Sequence, residues 1–142
     1  MIDNRTAPYA AFLLRVSLGL LFIAHGLVLK VLTFGIAGTV GYFESLGYPG
    51  FFAYLVILGE IGGGLLLVAG VFTRWISLAL LPILLGATLQ HIGNGWVFSA
   101  TGGGWEFPVF WTVLLPIQAL LGDGAFALKL PVAERAVQGR LA

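Results

Sequence analysis

Among the ionisable side chains inside or at the margins of apolar stretches are Arg15, His25, Glu60, His91 and Glu106. A charge near the centre of a bilayer costs on the order of 3 kcal/mol even on lenient insertion scales, so each needs a compensating role. Carboxyl and imidazole groups can pass protons, and either can anchor the polar head of an otherwise apolar ligand. Arg15 and Glu60 are expected to form an ion pair fixing the register of their two helices, because each alone would be costly in hydrocarbon. The plainer roles are snorkelling of Arg15 to the headgroups and a hydrogen bond from Glu60 to a neighbour such as Gln90. His25 and His91, on different helices, have the residue types for a b-type haem. A lone histidine per helix is more often a hydrogen-bonded packing residue, and no ligand spacing supports a metal, so none is assigned.

The elements that must position these groups are four apolar runs at about 9–29, 51–71, 75–93 and 107–128, each near the roughly 20 residues that span a bilayer. With 59% hydrophobic and 9% charged residues, the 142-residue chain is far more apolar than a soluble domain. It is expected to be an all-α, four-transmembrane-helix bundle forming a single domain over 1–142. A charge of +1 with no basic cluster argues against nucleic acid, and the absence of cysteine excludes disulfides, thiolate clusters and covalent haem attachment through cysteine. Arg5 precedes the first run as in a signal peptide, but Phe22 stands where a small residue before a cut would lie, so this run reads as an uncleaved span.

Arg5, Arg15, Arg74, Lys129, Arg135 and Arg140 fall on one side of a four-span topology, and Lys30 alone on the other. The positive-inside rule then places both termini in the cytoplasm. Residues 31–50 are too apolar to float in water, and Val40, Phe43 and Leu46 recur at helical spacing beside Glu44, so a short interfacial helix is expected there. Gly59 and Gly63 form a small-xxx-small pair permitting close helix approach, and Gly19 and Gly26 share the helical face of Arg15. Pro82 and Pro116 should bend the third and fourth spans, and Gly122-Asp123-Gly124 should break or fray the inner end of the fourth. The tail 131–142 reads as a short cytoplasmic segment.

Antiparallel order brings His25 and His91 to about 24 Å from the inner boundary and Glu60 to roughly 13 Å below the outer one, with Glu106 and Lys30 near that outer boundary. A shared polar site in the outer half is the consequence. The loop 93–106 is rich in glycine but lacks the context of a phosphate-binding loop. Its Trp96, Phe98 and Trp105 suit an aromatic belt or a lid.

In order, the motifs are Leu14-Arg15, Ala24-His25-Gly26 with Lys30, Gly59-Glu60-Ile61-Gly62-Gly63, Gly70-Val71-Phe72-Thr73-Arg74, His91, Gly103-Gly104-Trp105-Glu106 and Gly122-Asp123-Gly124. Together they resemble the DoxX family of small bacterial four-helix membrane proteins. Here the lysine stands four residues beyond Gly26, where the family pattern often has three. The resemblance implies a bacterial plasma-membrane protein tied to quinone-linked sulfur oxidation or other membrane redox complexes. The leading reading is therefore a membrane subunit of a quinone-linked oxidoreductase. His25, Glu60, His91 and Glu106 would bind a quinone or similar amphipathic molecule: an imidazole would hydrogen-bond a carbonyl oxygen and Glu60 would relay protons. A non-catalytic scaffold docking a partner subunit through Gly59 and Gly63, and an oligomeric small-solute carrier, are the alternatives. The bilayer, a protein partner or further copies of the chain would surround it.

Overall fold

The computed structural model describes residues 3–128; Lys129, Arg135, Arg140 and the tail 131–142 of the charge argument lie outside the described residues. Helix α1 (Ala7–Ile23) starts with a proline in its first turn, where the missing N–H costs nothing, and runs without interruption into a π-helical stretch, Ala24–Thr33. Helix α2 (Gly35–Ser45) is the short helix expected between the first two spans. It folds back so that the buried Thr39 hydroxyl donates to the Lys30 and Gly35 carbonyls at 2.9 and 3.0 Å. Helices α3 (Phe51–Ala69) and α4 (Thr73–His91) follow, the latter extended by a 3₁₀ turn, Ile92–Asn94, and then α5 (Glu106–Leu121).

Three helical stretches are long and apolar enough to cross a membrane: Ala7–Thr33, Phe51–Ala69 and Thr73–Asn94. The fourth differs from the 107–128 expectation. Helix α5 stops at Leu121, and its 16 residues reach about 24 Å, short of a roughly 30 Å hydrocarbon core. The stop has a local cause. Gly122 takes φ 77°, a left-handed value that glycine adopts freely, and Gln118 Nε2 donates to its carbonyl at 2.8 Å. The segment beyond turns back over the start of α1, where Ala125 N donates to Pro8 O at 2.8 Å and Phe126 packs on Phe12.

Helix α1 lies along α3 and α4 along α5, with α3 also touching α4. Their shared core is Leu18, Phe22, Leu67, Leu80, Leu84, Trp111 and Leu115. Outward, Leu58, Leu89 and Leu120 are 70%, 67% and 82% exposed, an apolar exterior that lipid rather than water would solvate. The α1–α3 seam is backbone against backbone: a methyl on Gly19 would stand 2.7 Å from Gly64 O, and one on Gly64 2.7 Å from Gly19 O. Gly59 and Gly63 receive Ile83 and Leu80 of α4, so this pair is filled within the chain.

Candidate functional site

At the end of the bundle that holds the N-terminus, the charged side chains close helix termini. Arg15 is 0% exposed, and its Nη1 donates to the Leu67 and Val68 carbonyls at 2.8 and 2.7 Å while Nη2 reaches Ala125 O at 3.0 Å. These first two carbonyls belong to the last turn of α3, where a cation suits the negative end of the helix dipole. Asp123 Oδ1 accepts from Thr73 N at 3.2 Å, placing an acid at the start of α4, and Arg74 Nε donates to Ala119 O at 3.0 Å in the last turn of α5. Each charge meets a helix end of opposite sign. The left-handed Gly70 that turns α3 into α4 lies against this guanidinium, and a methyl there would sit 2.6 Å from Arg15 Nη1.

This arrangement corrects one expectation. Arg15 is committed to carbonyls, and Glu60 pairs instead with Lys30, whose Nζ donates to Oε1 at 2.9 Å and lies 2.8 Å from Oε2. It is the one salt bridge among the described residues. Two peptide oxygens at the end of α3 and one in the segment after α5 are closer partners for Arg15 than a carboxylate nearly two helical turns away toward the far end. Glu60 is 4% exposed and lies beside Gly26, at which a methyl would meet Glu60 Cβ at 2.9 Å.

The other three residues of the expected cluster also have separate partners. His25 Nδ1 bonds Leu21 O at 2.9 Å, and its ring lies 4.8 Å from Trp111 and stacks 6.4 Å from Phe107. His91 Nδ1 bonds Gly102 O and Gly103 O at 3.1 and 3.0 Å, and Asn94 Nδ2 donates to the same two carbonyls. Glu106 Oε1 accepts from Phe98 N at 2.9 Å. His25, Glu60 and His91 therefore each bond a partner of their own, and no hydrogen bond among the described residues joins them. Rise per residue leaves rotation about each helix axis undetermined, and the carbonyls of the loop capture His91.

What this end does contain is an open hollow of about 510 Å³ lined by Trp96, Phe98, Glu106, Phe107 and Phe110. Its walls come from two elements. The loop supplies Trp96 and Phe98, and the first turns of α5 supply Glu106, Phe107 and Phe110. The loop is stitched tightly: Trp105 N donates to Gly95 O, Glu106 N to Trp96 O, and Trp96 and Trp105 meet edge to face at 4.6 Å. A methyl on Gly104 would collide with the Trp96 and Val97 carbonyls, so the chain crosses itself there only because this residue has no side chain. Phe107 belongs both to the hollow and to the stack on His25, which puts the imidazole behind one wall. Of the four expected ligand residues, Glu106 alone lines it.

Sequence reasoning missed Phe107, Phe110 and Trp111 as site-forming residues, and Lys30 as the partner of Glu60. Their signal was present as Glu106-Phe107-Pro108-Val109-Phe110-Trp111, an acid followed by aromatics at the one-turn spacing that lines a helix face.

Comparison with known sequences bears on this geometry. Residues 10–93 match the DoxX family. The chain belongs to the DoxX family. The DoxX match covers α1 through α4, and with them Arg15, His25, Lys30, Glu60 and His91, whereas the hollow's residues 96–110 lie beyond it. Over 86 residues the chain is 35% identical to the Bacillus subtilis (strain 168) protein named "Putative oxidoreductase CatD", covering 61% of this chain and 62% of that one. It is 52% identical over 44 residues to "Inner membrane protein YqjF" of Escherichia coli (strain K12), covering 31% and 34%. The chain thus spans about three fifths and one third of these two relatives. No solved structure matches it. This is a DoxX family membrane protein with an all-helical fold.

Proposed function

We propose that this DoxX protein is a membrane subunit of a quinone-linked oxidoreductase complex, and that the aromatic hollow receives the head of a quinone or similar amphipathic molecule. The observation that carries the reading is the hollow itself. Its volume of about 510 Å³ falls within the few hundred to a thousand cubic ångströms usual for small-molecule sites, and its lining is four aromatic side chains with a single carboxyl. Aromatic walls stack on a planar ring, and an isoprenoid tail would leave along the apolar exterior. The oxidoreductase name of the Bacillus relative supports the same class of function.

In this reading Glu106 is the polar anchor, His25 a buttress behind Phe107, and His91 holds the loop that carries Trp96 and Phe98. Glu60 is the proposed proton relay, with Lys30 as its immediate partner. The protein sits in the bacterial plasma membrane with both termini cytoplasmic, so that the hollow opens toward the outer leaflet. Electrons come from a partner subunit or bound cofactor, because no cysteine is available for thiol chemistry.

Purification in mild detergent followed by mass spectrometry of the extracted small molecules tests this. A quinone recovered with the native protein, and depleted in Phe107→Ala/Phe110→Ala protein that remains folded, is the expected result. Equal recovery from both proteins, or recovery of no quinone from native protein loaded with excess quinone, contradicts it.

A further inference from the structure

Hydrogen-bond direction at this end of the bundle distinguishes between the two redox forms of such a ligand. A carbonyl oxygen can only accept, so each histidine bonded through Nδ1 to backbone carbonyls carries its proton on Nδ1. In the neutral ring that leaves Nε2 of His25 and of His91 as acceptors. Lys30 Nζ is held by Glu60, and Asn94 Nδ2 by the Gly102 and Gly103 carbonyls. The Trp111 indole N–H has no partner, but Trp111 is 3% exposed and sealed in the core. In the hollow, Glu106 spends Oε1 on Phe98 N, and Oε2 has no partner among the described residues. A carboxylate oxygen accepts and cannot donate.

From this we infer that the hollow takes the reduced, hydroxyl-bearing head, a quinol or another phenol of that shape, in preference to the quinone. The inference rests on the hollow being the ligand site. A quinone presents only carbonyl acceptors, which would set lone pairs against Glu106 Oε2. A quinol hydroxyl donates to that oxygen. The one donor among the lining side chains, the Trp96 indole N–H, serves either form, because a hydroxyl oxygen also accepts. Discrimination therefore falls on Glu106.

The test is equilibrium binding, followed by quenching of tryptophan fluorescence, of a short-chain benzoquinone and of its quinol kept reduced under argon. It uses native protein and Glu106→Gln in detergent. Glutamine keeps the oxygen that accepts from Phe98 N and replaces Oε2 with an NH₂ donor, so the fold has reason to survive. The expected result is quinol bound at least about tenfold more tightly than quinone by the native protein, with that ratio falling at least about tenfold in Glu106→Gln. Equal affinities, a preference for quinone, or a ratio unchanged by the substitution overturns the inference while leaving the hollow as the ligand site. Failure of folded native protein to bind either form overturns the site reading itself, and the inference with it.

Discussion

Lys30 meets Glu60 at 2.8 and 2.9 Å across the α1–α3 interface because the helix carrying the lysine widens in its last ten residues. In an α-helix each residue turns the chain by about 100°, whereas the i→i+5 bonding of a π-helix reduces this to roughly 80°. Four residues from Gly26 to Lys30 then sweep roughly 320°, close to the 300° or so that three would sweep in an α-helix. The extra residue between Gly26 and Lys30 is absorbed by the wider turn, and the ammonium faces α3.

Deleting Val28, which is 52% exposed, should let this stretch wind as an α-helix and leave the ion pair intact. Thermal unfolding in detergent is expected within about 1 kcal/mol of the native protein. Inserting an alanine at the same point should destabilise by about 3 kcal/mol or more, the cost of separating a buried charge from its partner. A deletion as harmful as the insertion would refute the rotational explanation.

The pair itself should show strong coupling. Lys30→Met leaves Glu60 uncompensated at 4% exposure and should cost about 3–5 kcal/mol, while Lys30→Met/Glu60→Met should recover most of that loss. Unfolding titrations of the four proteins give the interaction energy directly. Additive effects would mean that the contact contributes nothing.

At the opposite end, Arg15→Lys keeps the charge but loses the fork that reaches Leu67, Val68 and Ala125. Because a lysine cannot bridge α3 to the segment after α5, a loss of about 2–3 kcal/mol is expected. Hydrogen exchange should rise at Ala125 and Leu128, whose amides bond Pro8 O and Ala69 O. Exchange confined to α1 would instead indicate simple helix destabilisation.

Neighbouring glycines of α3 should respond with opposite signs. Gly64→Ala forces a methyl to 2.7 Å from Gly19 O and should destabilise by about 1–3 kcal/mol, whereas Gly62, with nothing within 4 Å, should tolerate alanine and gain up to about 1 kcal/mol of helix propensity. Paired melting curves decide it. Equal effects would place the α1–α3 seam elsewhere.

How much of this was legible beforehand follows from what periodicity encodes. The first three spans, the short helix between the first two, the shared face of Arg15, Gly19 and Gly26, and the break at Gly122 all depend on local spacing, and each is found. Pairing depends on which side chain reaches which partner first. Arg15 found carbonyls at the end of α3, a partner with no side-chain signature, and Lys30 displaced it at Glu60 through a helix type that hydropathy does not announce. His91 was drawn into its own loop for the same reason. The hollow has no local sequence signature because its walls come from the tip of a loop and the start of a helix, whose approach depends on the crossing at Gly104.

The most direct measurement on the central claim is photolabelling of the membrane-embedded protein with an azido-quinol, followed by peptide mapping. Labels on Trp96, Phe98, Phe107 or Phe110 that are suppressed by excess unlabelled quinol are the expected result. Labels spread along the lipid-facing leucines, or concentrated elsewhere and untouched by competition, would contradict a ligand site in the hollow.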